Sequence, residues 1–273
     1  MTFRKIAFIG AGNMTKAIVE GLVAKGYDSN MIMASNPSRP KLDELENKLG
    51  IKTSQHNENA IAFSQVIVLS VKPQLMASVC SDFLSKVDLA GKLVISIAAG
   101  IECQRLRQML GGFENLVRVM PNTPSSIGYG MSGIYAANGV SHDDAQFAAF
   151  LMNHVGQTLL VDKESDIDTV IAAAGSSPAY FFYVAQAMQQ EAMNMGLSEN
   201  DARKLVQQAM LGSAQMMQAN EEVSLASLRE NVTSKGGTTH EAVKTLQKHD
   251  VAHIFSEAMR AAVKRAKQMA KEF

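Results

Sequence analysis

The first 162 residues alternate short apolar runs with longer stretches in which apolar residues recur three and four positions apart. Short runs rich in Val and Ile indicate β-strands, and the longer spacing indicates amphipathic helices. Alternation of this kind predicts a mainly parallel sheet with helices on both faces. The seven runs that predict strands are residues 6–9, 31–35, 66–71, 93–98, 116–120, 130–137 and 158–161.

The pattern changes after residue 162. From there to residue 273 the sequence is rich in Ala, Met, Leu, Gln and Glu, with apolar residues three and four apart. This pattern predicts helices throughout, separated by breaks at 175–178, 196–198, 219–224 and 234–237. We therefore predict an α/β fold in which a Rossmann-type dinucleotide-binding domain over 1–162 is followed by an all-α domain over 163–273.

The predicted helices of the second half contain more apolar positions than one covering face uses. Residues 169–188, for example, form a long stretch that is almost free of charge. An isolated small domain would expose much of this surface to water. We expect a second subunit to cover it, so that 163–273 is a dimerisation domain. The alternative is that these helices pack only on their own dinucleotide-binding domain.

The overall charge and the cysteine content limit the classes of partner. The chain has 26 Lys and Arg against 26 Asp and Glu, so it lacks the basic excess that holds nucleic acid or anionic membranes. No apolar run approaches the roughly 20 residues of a membrane span. Cys80 and Cys103 do not form a CxxC pair, and no secretory signal sequence is present. We expect a cytoplasmic protein with no nucleic-acid or membrane partner and no metal site.

The first predicted strand leads directly into a glycine-containing turn. Gly10 and Gly12 flank Ala11 between that strand and a helical pattern. In dinucleotide-binding folds the first glycine permits the tight turn, and the second lets the backbone approach a pyrophosphate at the helix N-terminus. Thr15 occupies the third position, which is normally Gly or Ala, so the match is incomplete. An ordinary strand-to-helix turn is the alternative.

The residues after the second predicted strand indicate which dinucleotide binds. NAD-specific domains usually place an acidic residue there, on the ribose 2′-hydroxyl. This chain has Asn36-Pro37-Ser38-Arg39 instead. A hydroxyl and a guanidinium suit a 2′-phosphate, which favours NADP(H) over NAD(H). The alternative is that Arg39 is only a solvated surface residue.

Three further motifs follow predicted strands, at the sheet edge where ligands of such folds bind. Lys72 and Pro73 end one strand, and a lysine there either contacts the cofactor or only extends into water. Small residues at 96–100 end the next strand and leave room for a flat ring against the backbone. The third motif, 120–124, holds Asn122 and Thr123 between two prolines, so its polar groups have a fixed direction.

The helical half has a polar interruption that packing alone does not require. Residues 233–239 contain two glycines and three threonines, before a helix that we expect to begin near His240. Free backbone amides and hydroxyl groups then converge at a helix N-terminus, which suits an anion such as a carboxylate. The same residues also serve as a plain helix cap, so this pattern alone leaves both interpretations open.

Six motifs together resemble those of the pyrroline-5-carboxylate reductase family, in the same order and over nearly the whole chain. The resemblance implies NADPH-dependent reduction of the C=N bond of 1-pyrroline-5-carboxylate to L-proline, the last step of proline biosynthesis, with NADH used less efficiently. It also implies a homodimer with interlocked helical domains, often assembled into a decamer. The motifs are Gly10-Ala11-Gly12-Asn13-Met14, Val71-Lys72-Pro73, Ser96-Ile97-Ala98-Ala99-Gly100, Met120-Pro121-Asn122-Thr123-Pro124, Gly175-Ser176-Ser177-Pro178-Ala179-Tyr180 and Ser234-Lys235-Gly236-Gly237-Thr238-Thr239.

The resemblance also implies roles for individual residues in a cofactor site and a substrate loop. Within the loop, Thr239 and Ser234 are the implied catalytic residues, and Lys235 replaces a proline common in the family. The implied contacts are Gly10, Gly12, Asn13 and Met14 for the pyrophosphate, Asn36, Ser38 and Arg39 for the adenosine 2′-phosphate, Asn57, Lys72 and Pro73 for the ribose region, Ala98 and Asn122 near the nicotinamide, and Ser234, Gly236, Gly237, Thr238 and Thr239 for the substrate.

Hydride transfer to a protonated imine needs no strong acid from the protein, because an iminium carbon is already electrophilic; positioning then does most of the work. We expect the amides of Gly237 and Thr238 to bind the substrate carboxylate and the Thr239 hydroxyl to hydrogen-bond the ring nitrogen. The alternatives are another imine reductase, a hydroxyacid dehydrogenase of the same architecture, or a catalytically silent NADP-binding regulator. Hydroxyacid dehydrogenases use a lysine on the helix that follows Ser177, and the segment PAYFFYVAQAMQQEA has none.

Overall fold

The computed structural model describes residues 3–272, and within them eight strands form one sheet. Every neighbouring pair of strands is parallel except β6 with β7, and the order across the sheet is β3-β2-β1-β4-β5-β6-β7-β8. This confirms the mainly parallel α/β fold. The strands are β1 (Ile6–Ile9), β2 (Ile32–Ser35), β3 (Lys52–Ser54), β4 (Val66–Leu69), β5 (Leu93–Ser96), β6 (Leu116–Met120), β7 (Gly130–Ala136) and β8 (Gly156–Leu160).

The helices of the described residues lie between the strands and then fill the rest of the chain. Short 3₁₀ turns occupy Ser29–Met31 and Thr123–Ile127, and a π-helical segment occupies Ile171–Gly175. The α-helices are α1 (Asn13–Ala24), α2 (Arg39–Leu49), α3 (Asn57–Phe63), α4 (Pro73–Leu84), α5 (Cys103–Met109), α6 (His142–Asn153), α7 (Asp166–Val170), α8 (Ser177–Asn194), α9 (Glu199–Ala219), α10 (Leu225–Asn231), α11 (Thr238–Lys248) and α12 (Val251–Glu272).

The central strands β1, β4 and β5 are buried along their whole length, which explains their continuous apolar runs. Successive residues of a strand point to opposite faces. In β1, Ile6 and Phe8 belong to a core cluster that includes residues of α1 and α6. Ala7 and Ile9 belong to a second cluster with residues of α3, α4 and α5. The central strand therefore contributes to two hydrophobic cores.

The chain forms two compact units. One runs to Ser176 and also contains the chain from Ala261 onward, and the other is Ser177–Arg260. Strand structure ends at Leu160, close to the predicted boundary at 162/163. However, the first helical residues after it still belong to the first unit, because α7 packs on β7: a Cβ on Gly133 would lie 2.7 Å from Val170 Cγ1. The domain boundary itself stays a prediction.

The second unit is helical, as the sequence pattern predicts, and it leaves much apolar surface exposed. None of the residues of α8 is buried, and α9 buries only Ala202 and Val206. Tyr183 is 74% exposed and Met195 is 78% exposed. A single copy of this unit thus lacks a partner for its apolar surface.

Candidate active site

Five of the predicted motifs meet along one edge of the sheet. The residues that carry them directly follow β1, β2, β4, β5 and β6, which are adjacent and parallel. The strand order reverses between β1 and β4, and ligands of open α/β sheets bind in the crevice at such a switch point. The structure therefore places Gly10, Asn36, Lys72, Ala98 and Asn122 at the ends of neighbouring strands of one unit.

The turn between β1 and α1 leaves space for a ligand above its backbone. Gly10 has φ of +104°, and a Cβ there would lie 2.9 Å from the carbonyl oxygen of Ser70. Gly12 has ordinary extended backbone, and a Cβ there would meet no atom within 4 Å. Gly12 is also the N-cap of α1, so no capping side chain occupies the first amides of the helix. This open cradle of backbone donors fits a pyrophosphate.

Thr15 holds the glycine turn in place. Its side chain is fully buried, and its hydroxyl lies 2.8 Å from the carbonyl oxygen of Gly10 and 2.8 Å from Ser70 Oγ. Ser70 Oγ in turn donates to the carbonyl oxygen of Ile9 at 3.0 Å. The departure from Gly or Ala at this position thus adds hydrogen bonds without opening the turn. The sequence gives no signal for Ser70, because its role depends on a neighbour 55 residues away.

Polar side chains after β2 are tied to one another. Asn36 Nδ2 donates to Ser38 Oγ at 3.0 Å, and Asn57 Oδ1 accepts from the buried Ser35 hydroxyl at 2.7 Å. These bonds fix the side chains that follow the strand and the amide at the start of α3. The predicted residues Asn36, Ser38 and Asn57 are therefore held close to the end of β2.

Arg39 has acidic partners. Its guanidinium Nη2 lies 3.0 Å from Glu46 Oε2 and also pairs with Asp43. Side-chain hydrogen bonds to Glu46 and Asp43 raise the pKa of Arg39 above its usual value. Arg39 is thus a cation at the predicted position, but its guanidinium is already ion-paired with two carboxylates.

Two residues of the small-residue motif after β5 pack closely against other parts of the first unit. Ala98 is buried in the core. Gly100 has φ of +76°, and a Cβ there would lie 2.8 Å from Met269 Cβ in α12. The close approach of this helix and the positive φ are sufficient reason for glycine at position 100. Lys72 and Pro73 differ from these residues, since Lys72 is the exposed N-cap of α4 and Pro73 is its first residue.

Asn122 links three segments of the first unit. Its Nδ2 donates to the carbonyl oxygen of Ala174 at 3.0 Å, and its Oδ1 accepts from the backbone amide of Met131 at 2.9 Å. Asn122 is buried. Its side chain therefore joins the end of β6 to β7 and to the π-helical segment, and such segments occur frequently at functional sites.

The predicted substrate loop lies in the second unit and begins with a tight turn. The Gly237 amide donates to the carbonyl oxygen of Ser234 at 2.9 Å, and Gly236 has φ of +75°. A positive φ at the third residue is typical of a type II turn, in which proline is common at the second residue. Lys235 occupies that second position, and the turn forms without the proline.

Helix α11 begins directly after this turn, at Thr238 and not near His240 as expected. Gly237 is its N-cap, and a Cβ there would lie 2.7 Å from Ser234 Oγ. Because the Gly237 amide is used in the turn, the free amides at this helix start are those of Thr238, Thr239 and His240. Both threonines are exposed, and in the described chain the Thr239 hydroxyl has no hydrogen-bond partner.

A Rossmann-type sheet with an open glycine turn at its switch point, in a chain that also has a helical unit, defines a dinucleotide-binding oxidoreductase. Two family models match the chain: residues 164–269 match "Pyrroline-5-carboxylate reductase dimerisation", and residues 5–100 match "NADP oxidoreductase coenzyme F420-dependent". The pyrroline-5-carboxylate reductase of Vibrio alginolyticus is 55% identical over 273 residues, which cover 100% of both chains. The chain belongs to the pyrroline-5-carboxylate reductase family.

Solved structures agree with this assignment. The pyrroline-5-carboxylate reductase of Coxiella burnetii is 39% identical, with a TM-score of 0.94 over 98% of this chain and 99% of the other. The pyrroline carboxylate reductase of Plasmodium falciparum, solved with NADP bound, is 28% identical, with a TM-score of 0.86 over 99% of each chain. These structures cover both units of the fold.

Membership of the family confirms the function implied by the six motifs. The chain is an NAD(P)H-dependent oxidoreductase that acts on a C=N bond in the last step of proline biosynthesis. The match to a dimerisation model shows that it forms oligomers, and membership of the family shows that it takes a small-molecule substrate. Among the described helices, none has the length and apolar character that crossing a membrane requires.

Proposed function

We propose that this chain reduces 1-pyrroline-5-carboxylate to L-proline with NADPH as the preferred hydride donor and NADH as a poorer one. The observation that carries the proposal is the start of α11. There a tight turn is followed by free backbone amides and by the Thr239 hydroxyl, which has no partner among the described residues. These groups suit a substrate with a carboxylate beside a ring nitrogen. The open turn at Gly12 supplies a matching dinucleotide site.

The cofactor side of the proposed site follows the sheet edge. When bound, NADPH supplies the hydride that reduces the imine carbon. The open backbone at Gly12 supports the assignment of the pyrophosphate, and the side chains fixed after β2 support that of the adenosine end. Because the Asn122 amide is engaged at both ends, its place near the nicotinamide depends on the backbone. The residues assigned to the cofactor are Gly10, Gly12, Asn13, Met14, Asn36, Ser38, Arg39, Asn57, Lys72, Pro73, Ala98 and Asn122.

The substrate side has a carboxylate contact and a nitrogen contact. We assign the carboxylate to the amides of Thr238 and Thr239, since the Gly237 amide is already used. A helix N-terminus stabilises negative charge, and this effect favours the carboxylate. The Thr239 hydroxyl oxygen accepts a hydrogen bond from the protonated ring nitrogen and so orients the imine carbon. Ser234, whose hydroxyl lies against the Gly237 backbone, is the second residue assigned to the reaction.

The proposed assembly is a homodimer with interlocked helical domains. Its support is the large set of apolar side chains that the second unit leaves exposed in a single chain. A further assembly into a decamer and a cytoplasmic location stay predictions; the free thiols of Cys80 and Cys103 suit a reducing compartment. The exposed side chains are Phe181, Phe182, Tyr183, Met188, Met195, Leu205, Leu211, Met216, Met217, Leu246, Ile254 and Phe255.

A steady-state assay tests the proposed activity. Purified protein is mixed with 1-pyrroline-5-carboxylate and either NADPH or NADH, and both nucleotide oxidation and L-proline formation are followed. We expect one L-proline per nucleotide oxidised and a higher kcat/KM with NADPH. Folded protein that binds NADPH but forms no L-proline would instead be a silent NADP-binding regulator, and the proposal would be wrong.

A further inference from the structure

The four cations on α1 and α2 differ in whether they are already paired. Lys41, the third residue of α2, is exposed and makes no ion pair with any described residue. An anion approaching it therefore displaces no carboxylate. The other three cations are paired: Arg39 with Asp43 and Glu46, Lys16 with Glu44, and Lys48 with Glu20.

Lys41 lines a cavity that includes the glycine turn. The cavity has a volume of about 90 Å³, and Gly12 and Asn13 form part of its wall. Its charged lining residues are Lys16, Lys41 and Glu44, which carry two positive charges and one negative charge. Since Glu44 pairs with Lys16, the net positive charge of the cavity belongs to Lys41.

The position of Lys41 indicates which phosphate it contacts. In Rossmann-type domains the pyrophosphate lies at the start of α1, and the adenosine ribose extends from there towards the end of β2. Lys41 lies in the first turn of α2, the helix that follows β2, and lines the same cavity as Gly12. This first turn contains no acidic residue. The group of NADPH that extends to this side is the 2′-phosphate.

We propose that Lys41 is the principal cation for the adenosine 2′-phosphate and that it sets the preference for NADPH more strongly than Arg39 does. The inference rests on the proposed use of NADPH. A phosphate at Arg39 would approach the carboxylates of Asp43 and Glu46, and carboxylates repel phosphate. Lys41 has no such neighbour in an ion pair, and its ammonium is a mobile point charge on a flexible stem.

Binding of two small probes tests this inference without any turnover. Adenosine 2′,5′-bisphosphate carries the 2′-phosphate, and 5′-AMP is the same nucleotide without it. We expect Lys41→Ala to weaken the bisphosphate by about tenfold or more in calorimetry, in line with loss of a charge-assisted contact. Binding of 5′-AMP should change less than about twofold, and Arg39→Ala should weaken the bisphosphate less than Lys41→Ala does.

Lys86→Ala is the matched control, since it also removes one surface lysine. Lys86 lies beyond the end of α4 and pairs with Asp82 of that helix. The control variant should bind both probes like the wild type, and equal melting temperatures would show that all variants are folded. The inference is overturned if Lys41→Ala binds the bisphosphate normally, if it weakens both probes equally, or if Arg39→Ala has the larger effect. A wild type that binds both probes equally would overturn the NADPH preference itself, whereas missing imine reduction with normal probe binding would overturn only the proposed activity.

Discussion

Gly10 and Gly12 lie two residues apart, yet the structure constrains them differently. At Gly10 the backbone has φ of +104° and a Cβ would meet the Ser70 carbonyl, so the requirement comes from the fold. At Gly12 a Cβ would meet no atom within 4 Å, so the fold itself leaves room for a side chain there, and the proposed pyrophosphate is what would exclude it. The two glycines of one turn can therefore be separated by experiment.

Alanine substitutions at these positions should affect different properties: Gly12→Ala should weaken NADPH binding, and Gly10→Ala should lower the stability of the fold. We expect Gly12→Ala to change the free energy of unfolding by less than about 0.5 kcal/mol, because it adds a methyl group in open space. The same variant should bind NADPH at least about tenfold more weakly, because the methyl group occupies the place of the pyrophosphate. Gly10→Ala should lower the stability by about 1–3 kcal/mol. Thermal unfolding measures the stability, and fluorescence titration measures NADPH binding. Normal NADPH binding by Gly12→Ala would contradict a pyrophosphate site at this turn.

Thr239→Ala should lower kcat by about 10- to 1000-fold, as loss of one oriented hydrogen-bonding group in the transition state does. NADPH affinity should hardly change, since the loop belongs to the other unit. Thr239→Ser retains the hydroxyl and should recover most of the rate. If turnover of Thr239→Ala stays within about twofold of the wild type, the hydroxyl does not orient the ring nitrogen and its assignment is wrong.

The sequence predicts those site residues whose role is local. The glycine turn and the 234–239 loop are recognisable because their residue types determine their own backbone. Ser70 and Lys41 are not recognisable, because the first acts through Thr15 and the second through a cavity with Gly12. The use of the Gly237 amide in a turn also depends on a bond to Ser234 that residue types alone do not specify.

The link made by Asn122 joins β6, β7 and the π-helical segment Ile171–Gly175. We expect Asn122→Ala to lower the free energy of unfolding by about 1–3 kcal/mol, because it leaves the Met131 amide and the Ala174 carbonyl without this partner. Asn122→Asp retains the acceptor oxygen for the Met131 amide and should lower the free energy of unfolding by less. Urea denaturation measures the effect, and unfolding of Asn122→Ala at the wild-type urea concentration would show that the link contributes nothing.

Strands and helices could be predicted where burial produces a regular pattern of apolar residues. The seven predicted strands are all present, and the central ones have continuous apolar runs because they are buried on both faces. Strand β3 is missed because its sequence, Lys-Thr-Ser, contains no apolar residue and lies at the sheet edge. The break between α11 and α12 is also missed, because it contains no glycine or proline and depends on a positive φ at Asp250.

The division into compact units depends on contacts between distant residues. The change of pattern after 162 marks where strands end, yet Val170 packs against Gly133 in the first unit. The last part of α12 likewise belongs to that unit, where Met269 approaches Gly100. Neither contact has a signature in the local sequence.

The exposed apolar surface of the second unit indicates an obligate oligomer. Interfaces of this kind typically bury more than roughly 2,000 Å² and resemble a core cut in half. Separated subunits should therefore be unstable as well as inactive. If the helical domains interlock, the loop of one chain completes the site over the cofactor of its partner, and activity depends directly on pairing.

Heterodimers that combine a Gly12→Ala chain with a Thr239→Ala chain test this arrangement. In a homodimer of either variant, both active sites carry the substitution and are impaired. In the heterodimer, a site shared between chains is restored once, where the intact turn of one chain meets the intact loop of the other. We predict recovery to about half of the wild-type kcat/KM per heterodimer, since one of two sites survives. Folded heterodimers that recover no activity would show that each subunit builds its own site, which would contradict the shared one.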